Sequence, residues 1–131
     1  MSKRILLTHP HSLLRRGLRL IFSEKFAITD MDEVSTTVQM TFRLHSKQYT
    51  HLIVGFSPED KSVAQKLEMT RSLFPDLKIL FLSDKNLDNA HSSLTKWRIF
   101  YHIPLTTSEE YALEELQRFL CDDMLTKGNR N

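Results

Sequence analysis

Two histidines flank Pro10 near the start of the chain, and His9 and His11 are its first candidates for chemistry. Imidazoles at this spacing begin a metal site only if further carboxylate, thiolate or imidazole donors stand close by, and none does. Ser83 and Asp84, with His9, supply the residue types of a nucleophile, a base and an orienting acid. Nothing in their spacing marks such a triad. Gly17, Gly55 and Gly128 are isolated, so the chain has no glycine-rich loop to cradle a phosphate. The single cysteine, Cys121, has no partner for an internal disulfide. These residues predict no enzyme, no bound metal and no cofactor.

The elements that must position them belong to a chain of 131 residues, the size of one domain. Apolar residues make up 40% and charged residues 26%, with few Gly and Pro, which excludes a disordered or low-complexity chain. No apolar run nears the roughly 18 residues of a membrane span, and the start is too soon polar for a signal peptide. With one cysteine, a reducing cytoplasmic location is expected. The net charge of +2 is too balanced for a domain that itself grips nucleic acid. The charges are unevenly placed, however. Lys3, Arg4, Arg15, Arg16 and Arg19 are basic and early, while Glu109, Glu110, Glu114, Glu115, Asp122 and Asp123 are acidic and late. They are either solvated helix faces or faces that meet, within one molecule or between two.

Short apolar runs alternate with amphipathic stretches. Arg4–Thr8, Leu52–Phe56, Ile79–Leu82 and Ile99–Ile103 read as buried strands, and Phe26–Thr29 as a weaker one. Leu13–Glu24 reads as a helix capped by Ser12, with Leu14, Leu18, Ile21 and Phe22 on one face. Ser35–Leu44 reads as a second, with Val38, Phe42 and Met31 packing inward. Lys61–Phe74 is a third, with Val63, Leu67 and Leu73 or Phe74 inside, and Leu87–Trp97 a poorer fourth. Thr107 and Glu110 have the form of a capping box for a last helix, whose inner face is Ala112, Leu113, Leu116, Phe119 and Leu120. Five strand–helix units predict a doubly wound, flavodoxin-like parallel sheet of order 2-1-3-4-5 with helices on both faces. The domain spans 1–125, and the polar residues 126–131 read as a tail or linker.

In such a sheet ligands bind at the carboxyl ends of the strands. The residues there are Thr8, His9 and Pro10, then Gly55, Phe56 and Ser57, then Ser83 and Asp84, then Pro104. Arg4-Ile5-Leu6-Leu7, His11 and Leu14-Arg15-Arg16-Gly17-Leu18-Arg19 resemble the opening of a response-regulator receiver domain of the NarL/FixJ type. The likeness continues in Leu52-Ile53-Val54, in Phe74 through Ser83 and in Phe100-Tyr101, and covers residues 3–121. The resemblance implies a pocket with two magnesium-binding acids, a phosphorylated aspartate and a lysine. Here the acids are replaced by His9 and Pro10, the aspartate by Phe56, or by Gly55 on a shorter loop, and the lysine by Pro104. Only the hydroxyl at Ser83 and the switch aromatic at Tyr101 are kept. Magnesium needs oxygen ligands, and neither phenylalanine nor glycine offers an oxygen to a phosphoryl group.

The reading is a degenerate receiver that works without phosphorylation, as the regulatory and dimerisation module of a LuxR/NarL-type transcription regulator. DNA would be contacted only through a C-terminal helix-turn-helix domain that lies outside these residues. The alternatives are a stand-alone adaptor or anti-activator binding a protein partner, and a small-ligand sensor or enzyme using the vestigial pocket. A homodimer is expected through the first and last helices, with Arg15, Arg16 and Arg19 facing Glu110 and Glu114, because a two-fold patch must complement itself. The competing face is the fourth helix, last strand and last helix, anchored by Leu94, Trp97 and Tyr101.

Overall fold

A computed structural model describes residues 3–55, 61–83, 94 and 96–121, with 61–64 as backbone only. The elements run β1 (Ile5–Thr8), α1 (Ser12–Phe26), β2 (Met31–Val34), α2 (Thr37–Ser46), β3 (His51–Gly55), α3 (Lys61–Leu73), β4 (Lys78–Ser83), β5 (Tyr101–Pro104) and α4 (Glu109–Cys121). The strands form one parallel sheet in the order β2-β1-β3-β4-β5, as the alternation of apolar runs and helices predicts. The register pairs Thr8 with Val34 and with Val54, Gly55 with Leu82, and Ser83 with Pro104. The carboxyl ends of all five strands therefore meet along one edge.

Strand residues alternate between two apolar layers. Ile5, Leu7, Ile53, Leu80, Leu82, Tyr101 and Ile103 pack under α1 and α4, against Leu18, Phe22, Leu116, Phe119 and Leu120. Leu6, Leu52, Val54, Ile79 and Phe81 pack under α2 and α3, against Met40, Leu44 and Leu67. Each such side chain contributes about 1.5–3 kcal/mol on leaving water.

Several local expectations are corrected. The second strand is Met31–Val34, not Phe26–Thr29. Helix α1 runs on through Phe26, whose ring meets Phe22 at 5.9 Å, and stops at Ala27 in the left-handed conformation (φ 56°). The N–H groups of Ala27 and Ile28 both return to the Phe22 carbonyl, which leaves residues 26–28 no strand to form. The N-cap of α1 is His11 rather than Ser12, without a side-chain cap. The cap of α4 is Ser108, whose Oγ accepts from the Tyr111 N–H at 3.1 Å, so the Thr107–Glu110 box does not form. Val38 and Phe42 point outward, and the inward pair of α2 is Met40 and Leu44. Met31 is buried, but from β2. Leu73 is exposed while Phe74 is partly buried. The expected fourth helix falls mostly outside the described residues, as do Phe56, Asp84, Asp122, Asp123, the 126–131 tail and the side chain of Val63.

Arg71, on α3, is buried without a carboxylate partner among the described residues. Its guanidinium donates to the carbonyls of Trp97, Phe74, Pro75, Leu77 and Arg98, tying the end of α3 to the turn that enters β5. Burial, and then Arg98, lower its pKa to about 10.

Candidate functional site

At the carboxyl edge of the sheet, His9 follows β1 and is buried, while Pro10 is exposed. The His9 Nδ1 accepts the His11 N–H at 3.0 Å, so in the neutral ring the proton sits on Nε2. The His9 carbonyl accepts from Arg15 Nη1 at 2.6 Å. The rings of His9 and His11 lie 5.2 Å apart. Among the described residues no third His, Cys, Asp or Glu joins them in a group able to hold a metal.

Gly55 ends β3 beside His9. A Cβ on Gly55 would overlap Cδ2 of His9 and stand 3.0 Å from the Leu82 Cβ and 3.1 Å from the His9 Nε2. Real Cβ contacts are almost never that short, so the His9 ring fills the space a side chain at position 55 would use.

Ser83 ends β4, fully buried, and its Oγ shares a 2.7 Å hydrogen bond with Nε2 of His102 on β5. Strand alternation puts Ser83, Phe81 and His102 on the α3 side of the sheet, with the Phe81 and His102 rings 6.2 Å apart. Tyr101 is on the other side, buried under α4, edge-on to Phe119 at 5.4 Å and beneath the Arg118 guanidinium at 5.3 Å. The ring that meets the Ser83 hydroxyl is thus His102, not Tyr101. The parity of Tyr101-His102-Ile103-Pro104 carries that signal, because residues one apart in a strand face opposite ways. Pro104, the last residue of β5, is partly buried and pairs with Ser83. Glu115 of α4 is buried, accepts the His102 backbone N–H at 2.9 Å and pairs with Arg118, which covers the open edge of β5.

The expected charge match between the first and last helices takes a different form. Arg15 and Arg19 both donate to Glu33 of β2, at 3.0 and 2.8 Å, and Arg19 also reaches the Met31 carbonyl at 2.9 Å. They are turned to the β2 edge rather than to α4. Arg16, Glu110 and Glu114 are exposed. Of the anchors expected for the competing face, Leu94 and Tyr101 are buried inside the domain and Trp97 is partly buried.

No protein-family model matches the sequence, and no curated protein matches it. Solved structures do. The signal receiver domain of an HD domain-containing protein from Pseudomonas fluorescens Pf-5 superposes with a TM-score of 0.75 at 14% identity, over 92% of this chain and 95% of that one. The isolated REC domain of RcsB from Salmonella enterica serovar Typhimurium, determined with the phosphomimetic BeF3-, gives 0.72 at 19% identity, over 90% of each chain. The chain has the receiver fold. RcsB bound to promoter rprA gives 0.74 at 17% identity, and there the match spans 92% of this chain but 61% of that one. Among the described residues, no helix of this receiver-fold chain is long and apolar enough to cross a membrane.

Proposed function

We propose that this chain is a receiver module that signals without phosphorylation, as a cytoplasmic regulatory and dimerisation unit of a NarL-type transcription regulator. The observation that carries this reading is position 55. Gly55, one of the two positions (with Phe56) that the resemblance gives to the acceptor aspartate, stands beside His9, one of the two positions it gives to the magnesium-binding acids. Gly55 has no side chain to accept a phosphoryl group, and the ring of His9 takes the room for one. His9 and Pro10 offer no carboxylate to a hard cation, and Pro104 offers no ammonium to a phosphoryl oxygen. The Ser83 hydroxyl shares a hydrogen bond with His102. In this reading the sheet is a fixed scaffold and regulation acts through its surfaces. DNA contact would belong to a further domain; the RcsB chain bound to promoter rprA is matched over only 61% of its length.

The test is incubation with acetyl phosphate, or with beryllofluoride and magnesium. The expected result is an unchanged intact mass and unchanged amide shifts around His9, Gly55 and Ser83. A mass gain of one phosphoryl group, or saturable magnesium-dependent shifts at Ser83, overturns the reading.

A further inference from the structure

We propose that the outer groove between α2 and α3 docks an amphipathic helix with an acidic rim from a partner protein. This goes beyond the receiver reading and rests on surface chemistry alone. Helix α2 carries apolar pairs on two opposite sides. Met40 and Leu44 enter the core, while Val38 and Phe42, about 200° away round the helix, are 69% and 70% exposed. The core accounts for the first pair and leaves the second without a packing role. A sequence that breaks amphipathic patterning in this way marks a surface used for something else.

Beside Phe42 lies a groove of about 340 Å³, lined by Val38, Thr41, Phe42, His45 and Ser46 of α2 and by Lys66 of α3. Its size is at the low end of ligand pockets, which suits one or two inserted side chains rather than a whole cofactor. Along α3, Met69 and Leu73 follow Lys66 on the same stripe and are 53% and 51% exposed. Two helices, each with exposed apolar residues at i and i+4, offer the parallel ridges between which a third helix packs.

The border of this surface is basic. Lys66 and His45 stand in the groove, and Arg43 and Lys47 line the far flank of α2. Asp32 pairs with both Arg43 and Lys47, at 3.6 and 2.9 Å, and so offsets only one of the two charges. Glu68 sits two residues from Lys66 and hence on the opposite flank of α3. Apolar anchors would supply affinity and an acidic rim orientation. A second copy has an acidic helix, α4, with exposed Tyr111 beside Glu110 and Glu114. Its docking here would be head-to-tail, which leaves a groove open at the end of every chain of copies unless the copies close into a ring. A different protein closes the assembly.

The probe is a synthetic helix of roughly five turns, with leucine at i, i+4 and i+7 and a glutamate rim, compared with its lysine-rimmed twin. Titrated into the 15N-labelled chain, the glutamate peptide should give saturable shifts at Val38, Thr41, Phe42, His45 and Lys66. Phe42→Glu should weaken binding at least roughly tenfold with an unchanged melting temperature, since the ring is outside the core. Lys66→Glu should abolish the preference for the glutamate peptide over its twin. Absence of saturable shifts, shifts confined to other faces, or equal affinity for the two peptides overturns the proposal. So does a concentration-dependent mass in light scattering that Phe42→Glu removes, which would make a second copy the occupant.

Discussion

The imidazole of His9 fills the space into which any side chain at position 55 would project. The two residues are sequence-distant, and the β1–β3 register brings them together at the carboxyl edge of the sheet. Histidine and glycine there are complementary in volume: the ring is buried because Gly55 lacks a Cβ.

Gly55→Ala should therefore destabilise the fold by roughly 1–3 kcal/mol, through overpacking against His9 and Leu82. In the background of His9→Ala the same change should cost much less, with a coupling of roughly 1–2 kcal/mol in a double-mutant cycle read by urea unfolding. Gly55→Asp should be worse than Gly55→Ala, because it adds a buried carboxylate. It should remain unlabelled by acetyl phosphate, as Pro10 and Pro104 are still in place. Additive costs for Gly55→Ala and His9→Ala would show that the ring moves aside freely.

Arg71→Met should cost roughly 2–4 kcal/mol, because five carbonyls lose their donor at once. Arg71→Lys should recover only a minor part, since an ammonium cannot spread donors over two loops as the guanidinium fork does. Hydrogen exchange should rise first at Trp97–Ile99, where Arg71 holds the Trp97 and Arg98 carbonyls. An Arg71→Lys protein as stable as the parent would contradict this role.

How much of this was legible before the fold was known differs from residue to residue. The apolar strands β1, β3 and β4 are written in their composition, because strands buried on both faces are apolar nearly throughout. Strand β2 was not: Met31-Asp32-Glu33-Val34 is an edge strand with two acids at its centre, and the apolar Phe26–Ile28 beside it is the better run by hydropathy. Misplacing β2 also hid Glu33, the partner that takes Arg15 and Arg19. On α2 the period was right and the phase wrong, because both faces are apolar. Arg71 reads as a surface charge, since nothing local announces five carbonyls drawn from two separate loops. The carboxyl-edge residues His9, Gly55, Ser83 and Pro104 were legible, because strand ends follow from strand composition. The Ser83–His102 bond needed the β4–β5 register.

His51 makes stability depend on acid. It is buried at the start of β3, edge-on to Phe119 at 4.8 Å, with Nδ1 and the Thr50 Oγ1 sharing a 2.7 Å hydrogen bond. Burial, then Lys78 and Lys3, push its pKa down from 6.5 to about 4, against the raising effect of the Phe119 carbonyl. The unfolded chain thus binds a proton more readily than the folded one. The stability involved is fully present above about pH 6.5 and is lost as pH falls through 4. The loss is on the order of 2–3 kcal/mol. His51→Gln should flatten this part of the stability profile, measured by urea unfolding at intervals from pH 7 to 4. Parallel profiles for the two proteins would sink the assignment.

The dimer expected of the proposed module is best tested on α1. Leu13 and Leu20 are 86% and 48% exposed on that helix, Arg16 is exposed close to them, and a Cβ on Gly17 would meet nothing within 4 Å. Helix α4, over the same face of the sheet, carries the exposed Glu110 and Glu114. A two-fold pairing of this face would set leucines against leucines and Arg16 against the acids of the other copy. Arg15 and Arg19 pair with Glu33 at the β2 edge and so are turned away from this pairing. Leu13→Ser with Leu20→Ser should weaken self-association by at least roughly tenfold, since apolar contact supplies most of the affinity. Arg16→Glu should weaken it less, by the 0.2–1 kcal/mol or so of an exposed pair, and the effect should fade at high salt. Arg15→Glu with Arg19→Glu should lower the melting temperature, through like charges around Glu33, and leave the dimer constant nearly unchanged. Trp97→Ala should also leave it unchanged. The readout is sedimentation equilibrium over a concentration series. If Trp97→Ala dissociates the dimer while the double serine variant stays associated, the interface lies on the β5 side of the molecule instead.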